Sequence, residues 1–212
     1  VYAIRWETRL VEVRLATEHD FNRIVDIVFG EPRPEVVALA GSLELARRFG
    51  AGRLQLHGFP DPTHPTVVAS TDGTVLGMLQ YTTAPEMDAV GWAMIQLIVR
   101  VFGLWGATRR ARRFYGLTRV QTPAPPGSFY IAELHVDPDS RGQGIGSMLL
   151  DWAIAEAGDD RIMSLHTTTA NPARALYERH GFVITATGCH REYKRYTGLD
   201  GRHLMERKPH RA

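Results

Sequence analysis

Three glycines at alternate positions, Gly142, Gly144 and Gly146, separate the stretch ending in Val136-Asp137-Pro138 from an apolar helical pattern that begins at Ile145. A turn of this kind leaves main-chain N–H groups uncovered at a helix N-terminus, a ready receptor for the oxygens of a pyrophosphate. The same turn also serves as a tight strand-to-helix connection, so its meaning depends on what surrounds it. Around it lie the residue types that move protons: Glu133 and His135 just ahead, His166 beyond, and Tyr177 four residues before Gly181-Phe182. Alternation along an extended chain sends Glu133 and His135 to one face and Leu134 and Val136 to the other. There is a single cysteine, Cys189, which excludes an intramolecular disulfide, and nothing resembles a zinc site.

The elements that must position these residues follow from periodicity and punctuation. Val11 to Leu15 alternates as a half-buried strand, and Thr17 N-caps a helix through Phe21, Ile24, Val25 and Val28. A second helical pattern runs from about Glu35 to Phe49, and glycines and prolines from Gly50 to Pro65 mark an irregular connection. Asp72-Gly73 between Thr66–Ser70 and Val75–Thr82 predicts a hairpin. Residues 84–118 read as an inserted apolar and arginine-rich helix that packs on the sheet and walls a pocket, followed by a break at Pro123 to Gly127. Then come a strand (Phe129–Val136), the glycine turn, a helix (Ile145–Ala157), a strand (Ile162–Thr168), a helix (Pro172–Arg179) and strands at Phe182–Thr187 and His203–Lys208.

The run Arg141-Gly142-Gln143-Gly144-Ile145-Gly146 lacks the glycine spacing of a dinucleotide fingerprint. It resembles the acetyl-CoA loop of GCN5-related N-acetyltransferases (GNAT), with Arg141, Gly144 and Gly146 in the defined positions. Downstream, Asn171-Pro172-Ala173-Arg174-Ala175-Leu176-Tyr177-Glu178-Arg179-His180-Gly181-Phe182 is similar to that family's second signature. The likeness covers residues 129–187 well, the first strands loosely and residues 84–118 not at all.

The resemblance implies a mixed α/β fold over residues 1–212 as one domain. A mostly antiparallel twisted sheet splays at the cofactor site, with helices on both faces, a helical insertion at 84–127 and an acetyl-CoA core at 129–187. It implies acetyl-CoA as donor cosubstrate, held by the main chain of Leu134, His135 and Val136 and by the N–H groups of Arg141 to Gly146. Asn171, Arg174 and Tyr177 would complete the cofactor contacts. By the same likeness, Tyr177 protonates the departing thiolate and Glu133 serves as base, with His135 and His166 as fallbacks. Asn171 reads equally well as a helix cap before Pro172.

Hydrophobic residues at 44% and charged ones at 23% describe a globular chain, and a net charge of +2 gives no argument for nucleic acid. The charged N-terminal stretch lacks the apolar core of a secretory signal, and 89–105 is too interrupted to span a bilayer, so the expectation is a cytoplasmic protein with no membrane partner. Arg109 to Arg119 read as a solvated basic face, or as a contact for the CoA 3′-phosphate or an acidic acceptor. The apolar residues beside them equally suit a homodimer contact. The acceptor is an amine, on a small molecule or a protein lysine or N-terminus. A CoA-binding sensor without turnover is the reading from another class.

Overall fold

The computed structural model describes residues 2–6, 9–56, 58–83 and 92–209. Among these residues, eight strands form one sheet in the order β1-β2-β3-β4-β5-β6-β8-β7. These are β1 (Tyr2–Trp6), β2 (Arg9–Leu15), β3 (Thr66–Thr71), β4 (Thr74–Thr82), β5 (Phe129–Val136), β6 (Met163–Thr168), β7 (Val183–Cys189) and β8 (Gly201–Arg207). Every neighbouring pair is antiparallel except β5 with β6. β3 is buried along its whole length, which explains its β-branched and small residues on both faces. Asp72 and Gly73 both take positive φ, 48° and 77°, as the tight β3–β4 hairpin requires.

Helices cover both faces. On one, α5 (Ile145–Ala157) buries Ile145, Met148, Leu149, Leu150, Ala153 and Ala157, an i, i+3, i+4 stripe, against Val67, Ala69, Leu79, Phe129 and Ile131. Leu149 and Leu150 are fully buried, worth about 2 kcal/mol each in removed apolar surface. On the other face α1 (Phe21–Phe29) packs Ile24, Val25 and Val28 on Val68, Val75 and Met78.

The helical pattern expected from Glu35 to Phe49 is two helices, α2 (Pro34–Ala40) and α3 (Leu43–Leu54). Gly41, at φ 89°, ends the first, and the Ser42 hydroxyl accepts from Leu45 N at 3.2 Å to start the second. α3 then continues through Gly50 and Gly52, where an irregular connection was expected. A Cβ at either would collide with the Phe29 ring or with Leu97, so these glycines serve close packing rather than a break.

The inserted helix is α4 (Trp92–Val120), kinked at Gly103, and the expected start at Ala84 lies outside the described residues. It packs chiefly on α3, on α2, on β7 and on α7 (Arg191–Thr197), not broadly on the sheet. The helix after β6 is shorter than expected, α6 (Arg174–Arg179). β1 and α7 were not anticipated: each is short, and α7 is rich in charge and tyrosine without a clear apolar stripe.

Candidate active site

β5 and β6 stay together only over Phe129–Ile131 and Met163–Leu165. Beyond them β5 follows β4 to Val136, and β6 pairs with β8. The sheet therefore forks, and the β5 edge from Ala132 to Val136 faces the gap with main-chain groups available to an extended ligand. A bulge leaves Ala132 unpaired between Gln80↔Glu133 and Tyr81↔Ile131. It reverses the alternation, so Phe129, Ile131, Leu134 and Val136 all belong to the α5 face and Tyr130 joins Glu133 and His135 on the other.

At the end of β5 the chain turns through Asp137 to Ser140. Asp137 accepts from Asp139 N at 3.0 Å and ion-pairs with Arg23 of α1, which also donates to Val75 O at 3.3 Å. The turn is thereby tied to the opposite face. Gly142 and Gly144 follow at φ 76° and 78°, and the first main-chain bond into α5 runs from Met148 N to Gly144 O at 3.0 Å. The N–H groups ahead of it are those that helix geometry leaves unpaired, and a Cβ on Gly142 would meet nothing within 4 Å. Gly146 is small for another reason: its Cβ would lie 3.0 Å from Leu176 of α6 and 3.7 Å from Val136. This open cradle fits a pyrophosphate. The Arg141 guanidinium turns away to Glu31, 2.5 Å distant, and Gln143 donates to Asp139 O at 3.0 Å, so main chain rather than side chains lines the turn.

Glu133 is held on both oxygens. Arg53, at the end of α3, donates to Oε1 at 2.5 Å, and His135 Nε2 lies 2.7 Å from Oε2. Burial opposes ionisation, but the His135 hydrogen bond and the charges of Arg53 and Arg33 outweigh it and hold the carboxyl well below the usual carboxylate range. An ionised carboxylate only accepts, so His135 carries a proton on Nε2, and in the neutral ring the lone pair is on Nδ1.

Tyr177 of α6 is buried beside the fork, edge-on to Phe182 at 6.3 Å. Burial, reinforced by the negative charge of Glu133, pushes its phenol up to about 12, so it is protonated throughout the neutral range. His166 is engaged at both nitrogens: Nε2–H donates to Thr122 O at 2.9 Å, and Nδ1 accepts from Tyr130 Oη at 3.0 Å. Burial and the charge of Arg202 lower its pKa to about 4. It is neutral, and the lone pair a base would use is occupied.

Asn171 acts locally. Its Oδ1 accepts from Ala173 N at 2.9 Å and its Nδ2 donates to Thr167 Oγ1 at 2.8 Å, an arrangement that caps the turn into α6. Arg174 is exposed and pairs with Glu178 at 3.2 Å. In α4 the arginines divide. Arg110 donates to Ala40 O at 2.8 Å and Arg113 to Ala38 O at 2.7 Å, satisfying carbonyls at the C-terminus of α2, while Arg100, Arg109, Arg112 and Arg119 are exposed. Sequence reasoning missed Arg53 and Tyr130. The Gly50/Gly52 pair signalled a close helix approach next to Arg53, but nothing local signals the bulge that turns Tyr130 toward the site.

The sequence matches the Acetyltransferase (GNAT) family profile over residues 39–182. The fold is similar to that of the histone acetyltransferase HPA2 and related acetyltransferase from Corynebacterium glutamicum, at TM-score 0.65 and 21% identity, covering 95% of this chain and 98% of that one. It is also similar to a ribosomal-protein-alanine N-acetyltransferase from Brucella melitensis (TM-score 0.51, 20% identity, 93% and 99% covered). A third likeness is to Ard1 from Thermoplasma volcanium (0.52, 18%, 93% and 96%). With the family profile spanning most of the chain and a sheet that forks beside a glycine cradle, this protein belongs to the GNAT family of acetyltransferases.

Proposed function

We propose that this chain transfers acetyl from acetyl-CoA to an amine, with Tyr177 as the proton donor and His135, oriented by Glu133, as the proton acceptor. The observation that carries the reading is a buried tyrosine at the fork of the sheet, on the same fork as the hydrogen-bonded Glu133–His135 pair of β5. The β5 edge would hold the pantetheine arm like an added strand, and the N–H groups of residues 142–146 the pyrophosphate, the Arg141 N–H being taken by Pro138 O at 3.3 Å. Bound there, acetyl-CoA supplies a thioester carbon for attack by a neutral amine, with CoA thiolate as leaving group. Tyr177 Oη gives its proton to that sulfur, and His135 Nδ1 takes the proton the amine loses.

What supports His135 over Glu133 as acceptor is that both Glu133 oxygens are engaged by cationic or N–H donors and its basicity is depressed. Glu133 then fixes the imidazole tautomer, a positioning role. The acceptor amine belongs to a small molecule or to a protein lysine or N-terminus.

The test is CoA release from acetyl-CoA over a panel of polyamines, amino acids, arylamines and lysine peptides. Turnover with one class is expected, falling about a hundredfold in His135→Ala and partly restored by added imidazole. Glu133→Gln should not respond to imidazole. Acetyl-CoA binding with no turnover on any amine would replace this reading with a CoA-binding sensor.

A further inference from the structure

Few soluble helices leave their largest apolar side chains outermost, yet α4 does. Trp92 is 72% exposed, Leu104 74% and Trp105 76%, with Tyr115 at 54%. Leu104 and Trp105 directly follow the kink at Gly103, where a Cβ would meet nothing within 4 Å, so they stand at an open bend. The side of α4 that packs inward is supplied by other residues, among them Leu97 against α3 and the buried Gly116 and Val120. Among the described residues the outward side is thus unpartnered and apolar, and it is also basic.

Residues 92–120 carry six arginines and no aspartate, glutamate or lysine, a local charge of +6 in a chain whose formal net charge is +2. Arg110 and Arg113 are spent on α2 carbonyls, but Arg109 and Arg112 remain exposed between Trp105 and Tyr115.

We propose that the outer side of α4 after its bend docks on an anionic lipid bilayer, with Leu104 and Trp105 entering the headgroup boundary and Arg109 and Arg112 meeting lipid phosphates. Tryptophan favours that boundary, and arginines beside it are drawn to the phosphates of anionic lipids. Charge complementarity selects this occupant. A second copy related by a two-fold axis would bring the same exposed arginines, Arg109 and Arg112 among them, against each other, with no acid in α4 to pair them. A nucleic acid would satisfy the arginines but gives an aliphatic Leu104 no partner. The proposal departs from the expectation of no membrane partner, which rested on the lack of a spanning segment; among the described residues no helix is long and apolar enough to cross a bilayer. Docking on the surface needs no such helix.

The experiment is co-sedimentation of the full chain with phosphatidylcholine vesicles, with and without phosphatidylglycerol, at low and high salt. Binding is expected only with phosphatidylglycerol, weakening with salt and falling about tenfold in Leu104→Ser/Trp105→Ser and in Arg109→Gln/Arg112→Gln. The two double variants alter exposed positions by different chemistry, so each tests the proposal without the other. No binding to either vesicle, equal binding to both, or anionic binding indifferent to the serine pair would overturn it. So would a dimer in sedimentation velocity that the serine pair dissociates, or a nucleic acid that displaces the chain from vesicles.

Discussion

The Tyr177 phenol combines two properties that rarely coincide: it is buried, and it lies near a carboxylate held ionised by Arg53 and His135. Both effects act in one direction, raising its pKa to about 12 and keeping the proton available for a leaving thiolate. Replacing it with phenylalanine removes one oxygen and leaves the ring against Phe182. Tyr177→Phe is therefore expected to lower kcat by roughly 100-fold or more, while the Kd for acetyl-CoA stays within about threefold, since general-acid catalysis and ground-state binding are separate contributions. Stopped turnover assays beside calorimetric binding check this, and an equal loss in both would mean the hydroxyl serves binding. Tyr177 was visible in the sequence because it stands in a fixed relation to Gly181-Phe182. Arg53 was not, because its partner Glu133 lies 80 residues away and only the packing of α3 brings them together.

At the scale of elements, the glycine turn and α5 were legible because their signals are local: a run of glycines, then an apolar stripe that begins at Ile145 and ends at Ala157. α2 and α3 were read as one helix because the apolar pattern continues across Gly41-Ser42, although a glycine that ends one helix followed by a serine that caps the next is the local signal dividing them. The fork itself is invisible locally, since it arises where β6 leaves β5 for β8. The turn still makes a separable prediction. Gly142 sits at φ 76° with open space where a Cβ would go, so Gly142→Ala brings no clash but places an alanine in the left-handed region, a cost of about 1 kcal/mol. Relaxation of that strain re-aims the N–H groups of the cradle. The expected outcome is an acetyl-CoA Kd raised about tenfold with a melting temperature lowered by only a few degrees. Unchanged affinity would show that the turn is only a connection.

Across the whole molecule, His166 gathers parts distant in sequence: the carbonyl of Thr122 after α4, the hydroxyl of Tyr130 on β5, and Arg202 of β8, which donates to its carbonyl at 3.4 Å. Because the folded chain holds the imidazole neutral, with a pKa of about 4 against 6.5 ordinarily, the unfolded chain binds a proton first as the pH falls. The stability this contributes is fully present above 6.5 and is lost as the pH drops toward 4. The gap corresponds to at most about 3–4 kcal/mol. Other depressed groups act lower: Asp20, brought to about 2 chiefly by its hydrogen bonds from Arg14, and Glu133 matter only below their ordinary values of 3.8 and 4.5. Between pH 6.5 and 4.5 the slope therefore belongs to His166 among the depressed groups. Urea midpoints measured across that window should fall steadily for the wild type and stay nearly flat for His166→Gln, whose amide keeps a donor and an acceptor but does not titrate. An equal slope in both would place the acid sensitivity elsewhere and leave the junction at Thr122, Tyr130 and β6 without the role argued for it.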